Sequence, residues 1–275
     1  MICTLQTEYL EEGHTEMTNQ KTPSLPDTSC WQAQSLRVTA FPSPSATISQ
    51  PKWWSELLGT EPEVRNLRPA RGEHVETGPF DKGTLTLQIN PIRIDWILTV
   101  NQKAILDEMP YLGAFPEIGD TFMKLMAEWL ALASAPLIQR LAFGAMLNQK
   151  VDGREEGYNL LSRYLPNVRL SPESIDFLYQ INRPRKSNVP SMTTHSINRL
   201  SKWSSISIHR TLIQSLPDGT TNSSLIGETG YACNLELDIS TAADFKGELP
   251  QQALAQIVRE QYDWGMEVAS MGDIA

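Results

Sequence analysis

Apolar and polar residues alternate in several stretches of the chain, as they do in strands that bury one face of a sheet. This pattern predicts strands at residues 36–41, 84–89, 93–98, 174–181, 199–212 and 231–239, and the apolar run at residues 137–147 predicts another, with Gly144 as a possible bulge. Asn90-Pro91 is a turn signal between the second and third of these strands, and it predicts an antiparallel hairpin. In the last strand Asp238 alternates with its apolar neighbours, so its side chain is expected on the solvent side.

Apolar residues at helical spacing predict four helices. The first covers residues 51–59 and ends at Gly59, a typical C-cap. The second begins at Asp120, which is expected to be its N-cap. The other two cover residues 155–165 and a segment that starts near Pro250.

Two stretches lack such periodicity. Residues 1–34 are polar and contain prolines, and we expect a mobile N-terminal tail there, with regular structure beginning at Leu36. Residues 60–82 are expected to form a loop.

The order of these elements predicts an α+β fold made of two related halves with antiparallel sheets, each closed by a long helix. The halves would be residues 35–135 and 136–275, the product of an internal duplication. A short internal repeat supports this division, because residues 88–93 resemble residues 180–185. Each half is close to the smallest size that supports a core, so we expect the two to share one.

Composition indicates an ordinary folded protein. The 275 residues are 40% hydrophobic and 20% charged, and the net charge of −9 disfavours general binding to nucleic acid or to a membrane surface. The chain has neither a run of 18 apolar residues nor a leader pattern, so we expect a cytoplasmic protein without membrane contact. Its three cysteines, Cys3, Cys30 and Cys233, indicate no zinc site, disulfide framework or cofactor, and Cys233 is expected to be a small buried hydrophobe.

Charge is distributed unevenly along the chain. Residues 177–216 contain no Asp or Glu and carry +6, which leaves −15 for the rest. The cations of this basic segment are Arg183, Arg185, Lys186, Arg199, Lys202 and Arg210. With Trp203, whose ring offers base stacking or a cation–π contact, they are candidates for binding nucleic acid or an acidic protein partner. The alternative is that the chain's own acidic helices neutralise the segment.

Trp53 and Trp54 are candidate interface residues. Neighbouring helical residues point about 100° apart, so one tryptophan is expected in the core and the other partly exposed. An exposed tryptophan is a typical interface anchor. The alternative is that the pair forms a lid over the core.

The sequence contains no phosphate-binding loop, dinucleotide fingerprint, nucleophile elbow or zinc-protease motif. No catalytic residue is assigned, and the histidines lack metal-ligand spacing, so no metal site is expected. His74, His195 and His209 are the candidates for a dispersed hydrolytic site.

Two short motifs carry a resemblance to a known family. They are Ile-Asn-Arg at residues 197–199, where a predicted strand begins, and Leu-Glu-Leu-Asp-Ile at residues 235–239, before the final helix. Together with the order of elements, they resemble a sporadically distributed family of uncharacterised bacterial proteins of about this size. The resemblance implies an α+β fold and a bacterial origin, and it transfers no catalytic residue.

We therefore expect a non-enzymatic protein-interaction component, one part of a bacterial multi-component system. The first alternative is a nucleic-acid or nucleotide-binding module that uses the basic segment at residues 183–210. The second is a hydrolase with a dispersed site.

Overall fold

The structure is a computed structural model that describes residues 25–46, 48, 52–101, 109–171, 173–215, 221–245 and 247–273. The strands in these ranges are β1 (Gln32–Pro42), β2 (Val64–Arg68), β3 (Glu73–Phe80), β4 (Gly83–Asn90), β5 (Arg93–Val100), β6 (Gly113–Ala114), β7 (Ile138–Val151), β8 (Leu178–Asn182), β9 (Arg185–Lys186), β10 (Ser196–Ser215) and β11 (Thr221–Thr241). The helices are α1 (Trp53–Leu58), α2 (Phe115–Ala131), α3 (Arg154–Tyr164) and α4 (Leu254–Met271).

All the described strands join one antiparallel sheet. Its order is β2-β3-β4-β5-β1-β7-β11-β10-β8, with β6 beside β1 and β9 beside β10. The two central strands are β1 and β7, and their register places Arg37 opposite Gly144. On the other side of β7, Gly144 lies opposite Asp238 of β11. The predicted α+β class with an antiparallel sheet is confirmed.

The described helices cover one face of this sheet, and none of them lies on the other, which we call the open face. Helices α2 and α4 contact each other over the central strands, and α3 lies against β10 and β11. Tyr262 of α4 makes edge-to-face contacts with Phe115 and Phe143 and donates a hydrogen bond to the carbonyl of Pro116 at 3.1 Å. Gly119 of α2 makes room for this ring, since a Cβ there would lie 2.4 Å from Cε2 of Tyr262. None of the helices in the described ranges is long and apolar enough to cross a membrane.

Local signals predicted several elements correctly. The Asn90 side chain accepts the backbone N–H groups of Ile92 and Arg93, both at 3.0 Å, and so closes the β4–β5 hairpin. Gly59 ends α1 in the left-handed conformation, with φ of +66°. Asp238 is half-buried on the open face, whereas Leu237 and Ile239 are buried beneath the helices. The predicted position of each of these residues is confirmed.

The predicted start of the second helix is wrong. Helix α2 begins at Phe115, five residues before Asp120, with Pro116 in its first turn. Proline suits this position because its fixed φ fits the helix and its missing N–H would have had no partner there. Asp120 is inside the helix, where it pairs with Arg259 of α4 at 2.9 Å.

Residues 60–82 are not a loop, because they contain β2 and β3. Every residue of β2 is exposed at the edge of the sheet, so burial imposes no alternation on its sequence. Regular structure also starts before Leu36, since β1 begins at Gln32 and Trp31 is fully buried, with its Nε1 donating to the Ala269 carbonyl at 3.0 Å. The rest of the predicted tail, residues 1–24, lies outside the described residues.

The internal repeat does not mark equivalent positions in the sheet. Residues 88–90 end β4, which lies between β3 and β5, whereas residues 180–182 end β8 at the far edge of the sheet. The short match therefore pairs the end of β4 with the end of β8, two strands that hold different positions in the sheet.

Candidate functional site

The first arginines of the basic segment bind carboxylates near the C-terminus of α4. Arg183 donates two hydrogen bonds to Asp273, the one from Nη2 at 2.8 Å, and Tyr179 donates a third at 2.7 Å. Arg185 reaches both carboxylate oxygens of Glu267, at 2.9 and 3.1 Å. Two-point contacts of this kind hold the guanidinium in a fixed orientation. These arginines therefore anchor the last helix to strands β8 and β9.

Arg199 is directed towards the same helix. Its side chain is 3% exposed and lies 3.5 Å from Glu267, with the guanidinium 5.8 Å from the ring centre of Trp264. Burial lowers the pKa of Arg199, but an arginine in this setting stays charged at neutral pH. The contact therefore fixes α4 on the helix-covered face and leaves no free cation at this position.

Two more residues of the segment are engaged internally. Lys202 pairs with Glu236 of the neighbouring strand at 2.8 Å. Trp203 is fully buried, so the expectation that its ring is available for base stacking is wrong. Lys186 is exposed and makes no ion pair with any described residue, while the side chain of Arg210 lies outside the described residues. Four of the six cations thus pair with the chain's own acids, but only Glu267 belongs to a helix, so neutralisation by acidic helices is confirmed only in part.

The two adjacent tryptophans are both buried, each 2% exposed, so the expectation of one exposed member is wrong. Trp53 packs edge-on against Trp129 at 5.7 Å, and Trp54 stacks on Trp96 at 6.2 Å. Trp129 of α2 and Trp96 of β5 thus enclose the tryptophans of helix α1 from two sides. Gly78 of β3 admits the second ring, because a Cβ there would lie 2.8 Å from Cζ2 of Trp54. This pair closes the core, as the lid alternative predicted.

The three candidate histidines lie far apart. His74, on β3, sits 3.0 Å from the buried carboxylate of Glu76. His195 precedes β10 and packs edge-on against Phe245, and His209 lies further along β10. Strands β3 and β10 are six positions apart in the sheet, or roughly 29 Å. Within the described ranges, no group of three His, Cys, Asp or Glu residues is placed to hold a metal ion.

The open face of the sheet carries a basin of about 480 Å³ over its central strands. Gly144 of β7 lies at its centre, between Arg37 of β1 and Asp238 of β11. A Cβ on Gly144 would be 3.5 Å from Nη2 and 3.6 Å from Nε of Arg37, so the guanidinium lies over the glycine. Neither Arg37 nor Asp238 makes a hydrogen bond or ion pair with a described residue.

The rim of this basin combines charge and apolar surface. The Lys202–Glu236 pair closes one side. Ile97, Met146 and Leu200 supply apolar side chains, and Met146 is 36% exposed. The basin therefore offers one unpaired cation, one unpaired anion and an apolar wall within a single depression.

Sequence reasoning missed this basin. Arg37 occupies an outward position in the predicted strand at residues 36–41, where a charged residue is unremarkable. The pairing of β1 with β7, which brings Arg37 beside Gly144, is set by tertiary structure. The available signal was Gly144 in the middle of a long apolar strand, because a glycine there marks either a bulge or the close approach of a ligand or another backbone segment.

The β10–β11 hairpin extends well beyond the sheet. Strand β7 pairs with β11 only up to Tyr231, and β8 pairs with β10 only up to Ser204. Residues 208–215 and 221–230 continue as a two-stranded ribbon that ends at the Ser215–Thr221 pair, with a register shift between Ile208 and Arg210. We call this ribbon the arm. It is about 25 Å long, and among the described residues neither of its outer edges pairs with another strand.

No model of a known protein family matches the chain. A search of curated proteins found no significant match either. Function therefore has to be inferred from the geometry of the basin and the arm.

Proposed function

We propose that the protein is a non-enzymatic binding component that holds a protein partner through the arm. The observation that carries the proposal is the hairpin's length. Residues 208–215 and 221–230 keep pairing with each other where no other described strand lies beside them.

A projecting ribbon of this kind is suited to contact another chain. An isolated two-stranded hairpin is at best marginally stable in water, so it gains from a surface that covers it. Its outer edges present backbone N–H and C=O groups that a partner strand can pair with. Both properties favour a protein partner, because main-chain pairing of this type needs a second polypeptide.

We also infer that the chain consists of two related units. On either side of the central β1–β7 pair the sheet runs β5-β4-β3 and β11-β10-β8, and each series is followed along the chain by a long helix, α2 or α4. The strands of the β4–β5 hairpin have 8 residues each, whereas those of the β10–β11 hairpin have 20 and 21. In this view the arm is an extension that only the second unit acquired. An extension that is present in only one of two related units is a feature expected of a binding element.

The charges of the basic segment support a protein partner over a nucleic acid. Its paired arginines hold α4 and are not free to neutralise phosphates. The net charge of −9 adds long-range repulsion to any polyanion. The nucleic-acid alternative therefore gains no support from the geometry.

Site-specific photo-crosslinking tests the proposal. A benzophenone amino acid is placed at Thr211 in the arm or, as control, at the exposed Lys124 of α2, and cross-linking is carried out in the source cells. We expect a discrete protein adduct from position 211 and none from position 124. Equal labelling at both positions, or none at either, contradicts the proposal.

A shortened arm provides the second measurement. Residues 208–230 are replaced by Asn-Gly, which forms the tight turn that a two-residue hairpin needs. Because the arm lies beyond the pairing of β11 with β7 and of β10 with β8, the unfolding midpoint should change little. The partner identified by cross-linking should no longer co-purify, and retention of that partner would show that the arm is not the contact.

A further inference from the structure

We propose that the basin on the open face binds a small zwitterionic ligand, an α-amino acid with an apolar side chain, between Arg37 and Asp238. This inference concerns a different surface from the arm and does not depend on a protein partner. It rests on two unpaired opposite charges that flank one glycine.

Arg37 is the cationic side of the site. Its guanidinium lies over Gly144, half-buried, with no hydrogen bond to any described residue. A partly desolvated charge without a partner is unfavourable, and a ligand carboxylate would remove that penalty. The planar guanidinium suits a carboxylate, because it donates two parallel hydrogen bonds to the two oxygens.

Asp238 is the anionic side. It projects from β11 on the far side of Gly144, and it accepts no hydrogen bond from a described residue. Three adjacent strands place the Cα atoms of Arg37 and Asp238 about 10 Å apart. The two side chains are not within ion-pair distance of each other, so the carboxylate of Asp238, beside the guanidinium that covers Gly144, remains available to bind a ligand ammonium group.

The two opposite charges disfavour ligands that carry only a single charge. A pure anion that binds Arg37 would be repelled by Asp238 and by Glu236, and a pure cation at Asp238 would be repelled by Arg37. Lys202 and Glu236 neutralise each other at 2.8 Å, so the basin as a whole has no net charge. Only a ligand that carries both charges satisfies both ends of the site.

The apolar wall determines the rest of the ligand. Ile97, Met146 and Leu200 line the basin together with the charged residues, and the volume of about 480 Å³ is within the range of small-molecule sites. An aliphatic or aromatic side chain would cover this surface and exclude water from the ion pairs. The ligand class is therefore the apolar amino acids, such as leucine, methionine and phenylalanine.

Isothermal titration calorimetry with the full chain tests the inference. The probes are leucine, methionine and phenylalanine, with 4-methylpentanoate and isopentylamine as analogues of leucine that keep one charge each. We expect at least one amino acid to bind, and each singly charged analogue to bind at least tenfold more weakly than leucine. Absence of binding by all three amino acids at millimolar concentration would overturn the proposal.

Three variants locate the site. Arg37→Gln and Asp238→Asn should each weaken amino-acid binding at least tenfold, and Gly144→Val should abolish it by filling the space under the guanidinium. Lys124→Gln is the control, because this exposed lysine lies on α2, away from the basin, and it should change affinity less than threefold. Binding that is unaffected by both Arg37→Gln and Asp238→Asn would place the ligand elsewhere and refute the assignment. Loss of the arm-dependent cross-link would leave these titrations unchanged, so the two proposals can fail separately.

Discussion

Gly272 follows α4 with φ of +79° and ψ of −155°, a backbone conformation that is essentially restricted to glycine. A Cβ at this position would lie 2.1 Å from the carbonyl oxygen of Tyr164. The next residue, Asp273, donates its backbone N–H to that same carbonyl at 2.9 Å. Close backbone contact at one glycine therefore positions the carboxylate that binds Arg183.

We expect Gly272→Ala to lower the free energy of unfolding by about 2–4 kcal/mol, since both the dihedral strain and the backbone clash oppose any side chain. Urea unfolding measured by circular dichroism gives the value. Gly144→Ala is the matched control, because its Cβ would meet only ordinary van der Waals contacts, and its effect should stay within about 1 kcal/mol. Equal effects of the two substitutions would contradict this account of Gly272.

Asp273 should make stability depend on pH. Hydrogen bonds from Arg183 hold the pKa of Asp273 below its ordinary value of 3.8. A carboxyl whose pKa is depressed in the folded state stabilises the fold above the unfolded pKa, and that stabilisation is lost as the pH falls through the folded pKa.

The measurement is the free energy of unfolding of wild type and Asp273→Asn between pH 6 and pH 2.5. At pH 6 the variant should be less stable by about 1–2 kcal/mol, through the loss of charge-assisted hydrogen bonds to a partly exposed arginine. The gap should begin to narrow below pH 3.8, where the unfolded carboxyl takes up a proton, and it should be smallest once the native carboxyl is protonated at its lower pKa. Parallel curves over the whole range would show that this carboxyl is not responsible.

The buried thiol of Cys233 should be unreactive. Burial raises its pKa to about 12, and the thiol donates a weak hydrogen bond to the Gly157 carbonyl at 3.3 Å. Cys30 is exposed. With iodoacetamide at pH 8, peptide mapping should find Cys30 alkylated and Cys233 protected until urea is added, because only a thiolate reacts. Rapid alkylation of Cys233 in the folded protein would contradict its burial.

At the scale of elements, the α2–α4 contact depends on one small residue against one large ring. Gly119→Ala would place a Cβ 2.4 Å from the Tyr262 ring, so we expect a loss of about 1–3 kcal/mol. Replacing the ring by Tyr262→Leu should leave space for that methyl group. In a double-mutant cycle, the combined variant should therefore be clearly more stable than the sum of the single effects predicts. Simple additivity would show that the two residues do not share this contact.

Elements with strong local signals could be predicted from sequence, and those without were missed. Strand β5 and its turn follow from alternation and from Asn90, whose side chain makes its hydrogen bonds within three residues. Strand β2 has no buried face, so no hydrophobic pattern records it. Trp53 and Trp54 could not be placed, because the rings that enclose them come from α2 and β5.

At the scale of the whole molecule, the sequence predicted the class of fold but not the neighbours in the sheet. Antiparallel pairing of adjacent strands follows from turn signals, whereas the contact between β1 and β7 joins segments separated by several elements. The basin depends on that contact, since it unites Arg37, Gly144 and Asp238. The pairing of the basic segment depends on tertiary structure as well, because a single acid of α4, Glu267, pairs with both Arg185 and Arg199.

The central position of β1 has a consequence for biosynthesis. This strand is synthesised early. One of its two hydrogen-bonding edges stays unpaired until β7 has been synthesised, which happens only after α2. Pairing of segments so distant along the chain slows folding. Until it is complete, the unpaired edge of β1 can form strand pairs with other chains. A nascent polypeptide halted after β5 would expose that edge, so chaperone occupancy during translation should be highest between the completion of β5 and the arrival of β7.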